Sequence, residues 1–120
     1  MSNPNLKKFI VIYQVPPAVM ANWAKTDPET RKASEDKMRK EWDDWMSKHY
    51  HMIKLTEVGG KTKKLTSSGI SDHKNEICLY SFIEAESHEA AVEPFKKHPH
   101  LQIPESSIEI MEVHPMSKKM

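Results

Sequence analysis

The chain has almost no glycine and a single cysteine: Gly59, Gly60, Gly69 and Cys78 among 120 residues. One thiol leaves neither an internal disulfide nor a cysteine-based zinc site. Cys78 stands in an apolar run and reads as a small buried hydrophobe rather than a nucleophile. Glycines isolated in turns make no GxGxxG or GxxxxGK loop to cradle a phosphate. Ser67-Ser68-Gly69 likewise lacks the context of a nucleophile elbow. Charge of one sign is missing too: 18 basic and 17 acidic residues leave a net +1. Bulk electrostatics therefore favours neither nucleic acid nor a membrane surface. The one basic run, Lys61, Lys63 and Lys64, reads as a solvated turn, because nucleic-acid contact needs a basic face. No apolar stretch reaches membrane-spanning length, and the opening MSNPNLKKF lacks the apolar core of a signal peptide. The expectation is a soluble, cytoplasmic protein with no cofactor.

What is present is periodicity. KKFIVIYQV (7–15) is β-branched and aromatic, with Phe9, Val11, Tyr13 and Val15 on one face and Ile10 and Ile12 on the other. Pro16 and Pro17 close that strand, and a short helical turn is expected over 18–25. A long helix follows. Thr26 with Glu29 offers a capping box, Asp27 an alternative cap, and Pro28 suits the first turn. Met38, Trp42, Trp45, Met46 and His49 recur along it as one apolar stripe. Residues 51–58 and 61–67 read as a hairpin turned by Gly59-Gly60, with 68–76 as a polar loop. EICLYSFIEA (76–85) is again apolar on both faces. Ser87 caps a short helix interrupted by Pro94, and the last strand is expected over 108–114 before Pro115.

Setting aside the wet extra strand, the order is strand, helix, strand, strand, helix, strand. That is the βαββαβ plan of a ferredoxin-like α+β domain: an antiparallel sheet with helices on one face. The whole chain, 1–120, is then one domain, with 1–6 and 116–120 as flexible tails. Strands that are apolar on both faces need a second cover. The simplest is a second copy of the same sheet, giving a homodimeric α/β barrel.

KKFIVIYQVP at the start, HPHL after the second helix and SIEIMEVHPM at the end carry a further signal. In their order and spacing, over roughly 7–116, the chain resembles the YCII-related domain family of dimeric α/β-barrel proteins. The resemblance implies the ferredoxin-like fold and the face-to-face dimer. In one enzyme-like branch of that family, a histidine early in the first helix partners an aspartate before a proline after the second. Some relatives act on chlorinated aromatic breakdown products. Here His98 stands at the aspartate position, before Pro99, and 28–48 holds no histidine. The acid–base pair of that branch is therefore missing from this chain.

Three chemistries compete for His98 and His100. As metal ligands, with His114 or Glu112 as a third, they form a weak set, and no resident metal is expected. As catalytic acid or base they would work near neutral pH, with Tyr13 or Asp43 orienting His98. As structure, a histidine after a helix satisfies terminal carbonyls, Pro99 and Pro104 fix the chain's exit, and Leu101 anchors the loop. The leading functional reading is a small-molecule-binding protein with lyase- or isomerase-like chemistry through His98 and His100. Its cleft lies between sheet and helices, with Tyr13, Trp23, Trp42 and Asp43 as ligand-binding residues. The alternative is a non-catalytic binding or regulatory module in which HPHL is structural. Expected partners are a second copy and a small molecule, without nucleic acid or membrane.

Overall fold

The first strand, β1 (Lys7–Gln14), sends Phe9, Val11 and Tyr13 inward, each with no exposed surface. Ile10 and Ile12 remain half-exposed on the opposite face. The computed structural model describes residues 5–116, so the outer parts of both expected tails, 1–4 and 117–120, lie outside the described residues. Pro17 opens α1 (Pro17–Ala24), where the missing proline N–H costs nothing. α2 (Pro28–His49) then takes the second of its two available caps. The Asp27 carboxylate accepts from the Thr30 amide at 2.9 Å and from the Thr30 hydroxyl at 2.7 Å. Among its 22 residues only Trp45 is buried.

β2 (Ile53–Val58) does not turn back through Gly59-Gly60, contrary to the sequence expectation. It pairs instead with β5 (Ile77–Ala85), and the Gly59 amide prolongs that ladder by donating to the Cys78 carbonyl at 2.8 Å. A side chain at Gly59 would sit 3.3 Å from the Ile77 carbonyl oxygen, so the glycine serves close backbone approach, not reversal. β3 (Thr62–Thr66) finds its partner in β4 (Gly69–His73), a strand inside the stretch expected to be loop. The turn falls at Ser67-Ser68, and Gly69 follows at φ +133°, where a side chain would be strained. The reason is burial. β5 offers β2 an inward row of Ser81 and Ile83, whereas a lysine-rich β3 offers no apolar face.

α3 (His88–Val92) is capped by Ser87, whose hydroxyl accepts from the Ala90 amide at 3.0 Å. At Pro94 it tightens into a 3-10 turn over Glu93–Phe95, the interruption expected of that proline. A second 3-10 turn, Pro99–Gln102, leads to β6 (Ser107–Glu112). The result is an α+β fold: a four-stranded antiparallel sheet ordered β2-β5-β1-β6, with the β3-β4 ribbon as a separate two-stranded sheet. The sheet is open and closes no barrel within the chain. Its core joins Phe9, Val11, Tyr13 and Ile83 to Trp45, Met52, Ala91 and Phe95. The other face carries Ile10, Ile12, Tyr80, Phe82 and Met111, Met111 being 54% exposed. Cys78 shares that open face and is half-buried rather than buried. No helix among the described residues is long and apolar enough to cross a membrane.

Candidate functional site

His98 and His100 belong to the core: they are 1% and 2% exposed. The segment is held by its own hydrogen bonds. The His98 ring caps the 3-10 turn Pro99–Gln102, its Nδ1 accepting from the His100 amide at 3.0 Å. It thus caps the start of the next turn and not the end of the preceding helix. His100 Nε2 donates to the Gln14 carbonyl at 3.0 Å, and the Ser106 hydroxyl donates to the His100 carbonyl at 2.9 Å. His100 therefore joins the end of β1 to the loop before β6. Leu101, expected as the anchor, is 42% exposed. In a 3-10 turn, side chains one and two residues apart point in different directions, and Pro99 and His100 take the buried ones.

Around His98 lies a shell of rings: Trp42 at 4.3 Å between centroids and nearly perpendicular, Trp45 at 4.5 Å, Tyr13 at 5.2 Å and a stacked Phe95 at 5.9 Å. Trp45 is pinned by its indole N–H donating to the Pro94 carbonyl at 2.9 Å. Such packing disfavours charge. Burial, reinforced by His100 and His49, holds His98 down at about 3. Burial also lowers His100, against the opposing pull of the Gln14 and Ser107 backbone. The Tyr13 phenol is pushed up to about 12 by burial, against a smaller opposing pull from Ser81. Both imidazoles and the phenol are therefore neutral at pH 7. Because His98 Nδ1 accepts, the ring proton sits on Nε2.

The accessible space is elsewhere. A cleft of about 750 Å³ opens between α1, α2 and the loop at 102–105. Its apolar walls are Val19, Met20, Trp23, Met38, Trp42 and Ile103, and Arg39, Glu35 and Glu105 stand at its polar side. Glu105 adopts φ +60°, a left-handed conformation uncommon for a non-glycine residue. A volume of this order, with mostly apolar lining and a few polar groups, matches a small-molecule site. A second cleft of about 560 Å³ runs along the other flank of α2, beside Lys48, His49, Glu93 and Lys96, and is largely charged.

Of the sequence-derived site residues, Trp23 and Trp42 line the apolar cleft. Tyr13, His98 and His100 lie beneath it, the first two in ring contact with Trp42. Asp43 is exposed, lines neither cleft, and is not the orienting partner of His98. The cleft is accordingly walled by α1, α2 and the loop at 102–105, not set between sheet and helices. His114 pairs with Glu112 at 3.1 Å, and no group of three or more potential metal ligands gathers among the described residues. Sequence reasoning missed Met20, Met38 and Ile103 as cleft residues. The spacing Glu35, Met38, Arg39, Trp42 marks one face of α2, but a stripe of that kind reads as core until a neighbouring helix is known to stand off from it. Compared with known proteins, the chain matches no family model and no curated protein sequence.

Proposed function

We propose that the protein binds a small, planar, largely apolar molecule in the cleft between α1, α2 and 102–105, without acid–base catalysis by the histidines. One observation carries this reading: Trp23 and Trp42 face the cleft while His98 and His100 are sealed under it. Large aromatic surfaces left at a concave site are suited to stacking on a flat ligand. A buried imidazole held near pKa 3 stays neutral at pH 7 and is a weak general base. On this reading the HPHL segment supports the cleft wall. Its test is ligand titration of wild type against Trp23→Ala: the variant should fold normally and lose at least about tenfold in affinity for a planar aromatic fragment such as ethylbenzene. Equal affinity would remove the proposal.

The strand order β2-β5-β1-β6, together with the resemblance to the YCII-related family, supports a ferredoxin-like fold. The apolar row Ile10, Ile12, Tyr80, Phe82 and Met111 supports a second copy covering the open sheet face, giving the homodimeric α/β barrel. Light scattering at micromolar concentration should give twice the chain mass, and Ile12→Glu should halve it. A wild-type monomer would end the dimer reading.

A further inference from the structure

Among the described residues, three buried side-chain atoms have no hydrogen-bond partner: Tyr13 Oη, His98 Nε2 and Glu84 Oε1. The last has the Lys54 ammonium at 3.1 Å. The Ser81 hydroxyl stands beside the Tyr13 phenol but out of bonding geometry and is engaged with Thr56 at 2.7 Å, which leaves Tyr13 Oη and His98 Nε2 without a bonded partner. They are not scattered. The two rings lie 5.2 Å apart, and both touch Trp42, whose indole lines the cleft. A buried donor with no acceptor is costly and uncommon in a folded protein. His98 is otherwise fully used, through its Nδ1 and its backbone, so its capping role accounts for one nitrogen and not the other.

We propose that the Tyr13 hydroxyl and His98 Nε2–H form a latent two-donor subsite behind Trp42, which receives the carbonyl oxygen of an aryl ketone, aldehyde or amide held in the cleft. The proposal rests on the cleft being a ligand site and adds the chemical class. Both free groups are donors, so the subsite selects an acceptor. Its surroundings are rings, so it favours a neutral oxygen over a carboxylate, which would lose its hydration. In the closed arrangement the perpendicular Trp42 ring gives the imidazole at most a weak N–H···π contact, which an oxygen acceptor outcompetes. Trp42 is half-buried and lines the cleft, so the proposal requires a change of its rotamer to connect the two compartments.

The test compares acetophenone with ethylbenzene, which differ by a carbonyl against a methylene, on the full chain by calorimetry or ligand-observed NMR. In Tyr13→Phe the acetophenone-to-ethylbenzene affinity ratio should fall up to about tenfold, as loss of one hydrogen bond requires. Ethylbenzene binding should be unchanged. His98→Asn keeps an acceptor for the His100 amide and should lower the same ratio. Infrared spectra should show the bound acetophenone carbonyl stretch shifted to lower wavenumber in wild type, and less so in Tyr13→Phe. The Tyr13 hydroxyl has no partner in bonding geometry and only the Ser81 hydroxyl beside it, so that variant is expected to lose little stability. Ethylbenzene binding with an unchanged ratio and an unshifted carbonyl overturns the subsite and leaves the cleft reading standing. That is also the result if a trapped water, and not a ligand, satisfies the two donors. If neither compound binds up to its solubility, the subsite and the cleft reading fall together.

Discussion

The two sides of Trp42 could hardly differ more. On one side lies a sealed cluster of Tyr13, Trp45, Phe95, His98 and His100, all at most 7% exposed. On the other lies an open apolar cleft walled by Trp23, Met20, Met38 and Ile103. The two imidazoles and the phenol are locked away, and tryptophan, methionine and isoleucine wall the accessible space, with Glu35, Arg39 and Glu105 at its polar side. Residue type alone therefore misleads here: an imidazole in a ring cage is structural material, and a tryptophan over open volume is accessible apolar surface.

That contrast can be broken from either side. The largest effect should come from Trp45→Ala, which empties the sealed side and loses the bond to the Pro94 carbonyl. It should destabilise by about 3–5 kcal/mol in denaturant unfolding, the range for deleting a large buried aromatic. His100→Ala should come next, at about 2–4 kcal/mol, because it strips the donor from the half-buried Gln14 carbonyl and opens a cavity. A loss under about 1 kcal/mol at either position would mean that the cluster is not the core it is taken for.

Acid should act on the same cluster. His98 has its folded pKa depressed, so the unfolded chain binds the extra proton more readily. Its contribution is complete above about pH 6.5 and is lost as pH falls toward about 3. The slope from this group is at most about 1.4 kcal/mol per pH unit before reduction by solvent screening, and His100, whose pKa burial also lowers, adds to it in the same direction. Stability measured from pH 7 to 4.5 should fall in wild type and be flatter in His98→Asn. Equal slopes would show that His98 is not the sealed group described. The smallest stability effect is expected on the open side: Trp23→Ala or Met38→Ala should cost about 1 kcal/mol or less.

β1, β5 and β6 were legible in the sequence because each carries an inward apolar row, whereas β2 sets only Ile53 against the core. The β3-β4 ribbon was not. Its residues are exposed, Leu65 by 75% and Ile70 by 70%, so no burial pattern distinguishes strand from loop. Gly59-Gly60 looked like a turn because glycine permits one, but the choice fell to whichever partner let β2 bury its inner face. At the site, Trp23 and Trp42 were legible as cleft residues. The burial of His98 and His100 was not, since a ring cage assembled from β1, α2 and the segment after α3 is a property of packing and not of local sequence. Asp43 was drawn in by its neighbours, Trp42 and Trp45, yet successive helical positions point to different faces.

The three tryptophans give the most direct test. In 1H–15N spectra each indole N–H reports separately, and ethylbenzene can be titrated while all three are watched. The Trp23 and Trp42 signals should shift in a saturable way, and the Trp45 signal, hydrogen-bonded to the Pro94 carbonyl inside the sealed cluster, should hold still. Static Trp23 and Trp42 signals, or a Trp45 signal that moves as far as theirs, would contradict the division at Trp42 on which the proposed binding rests.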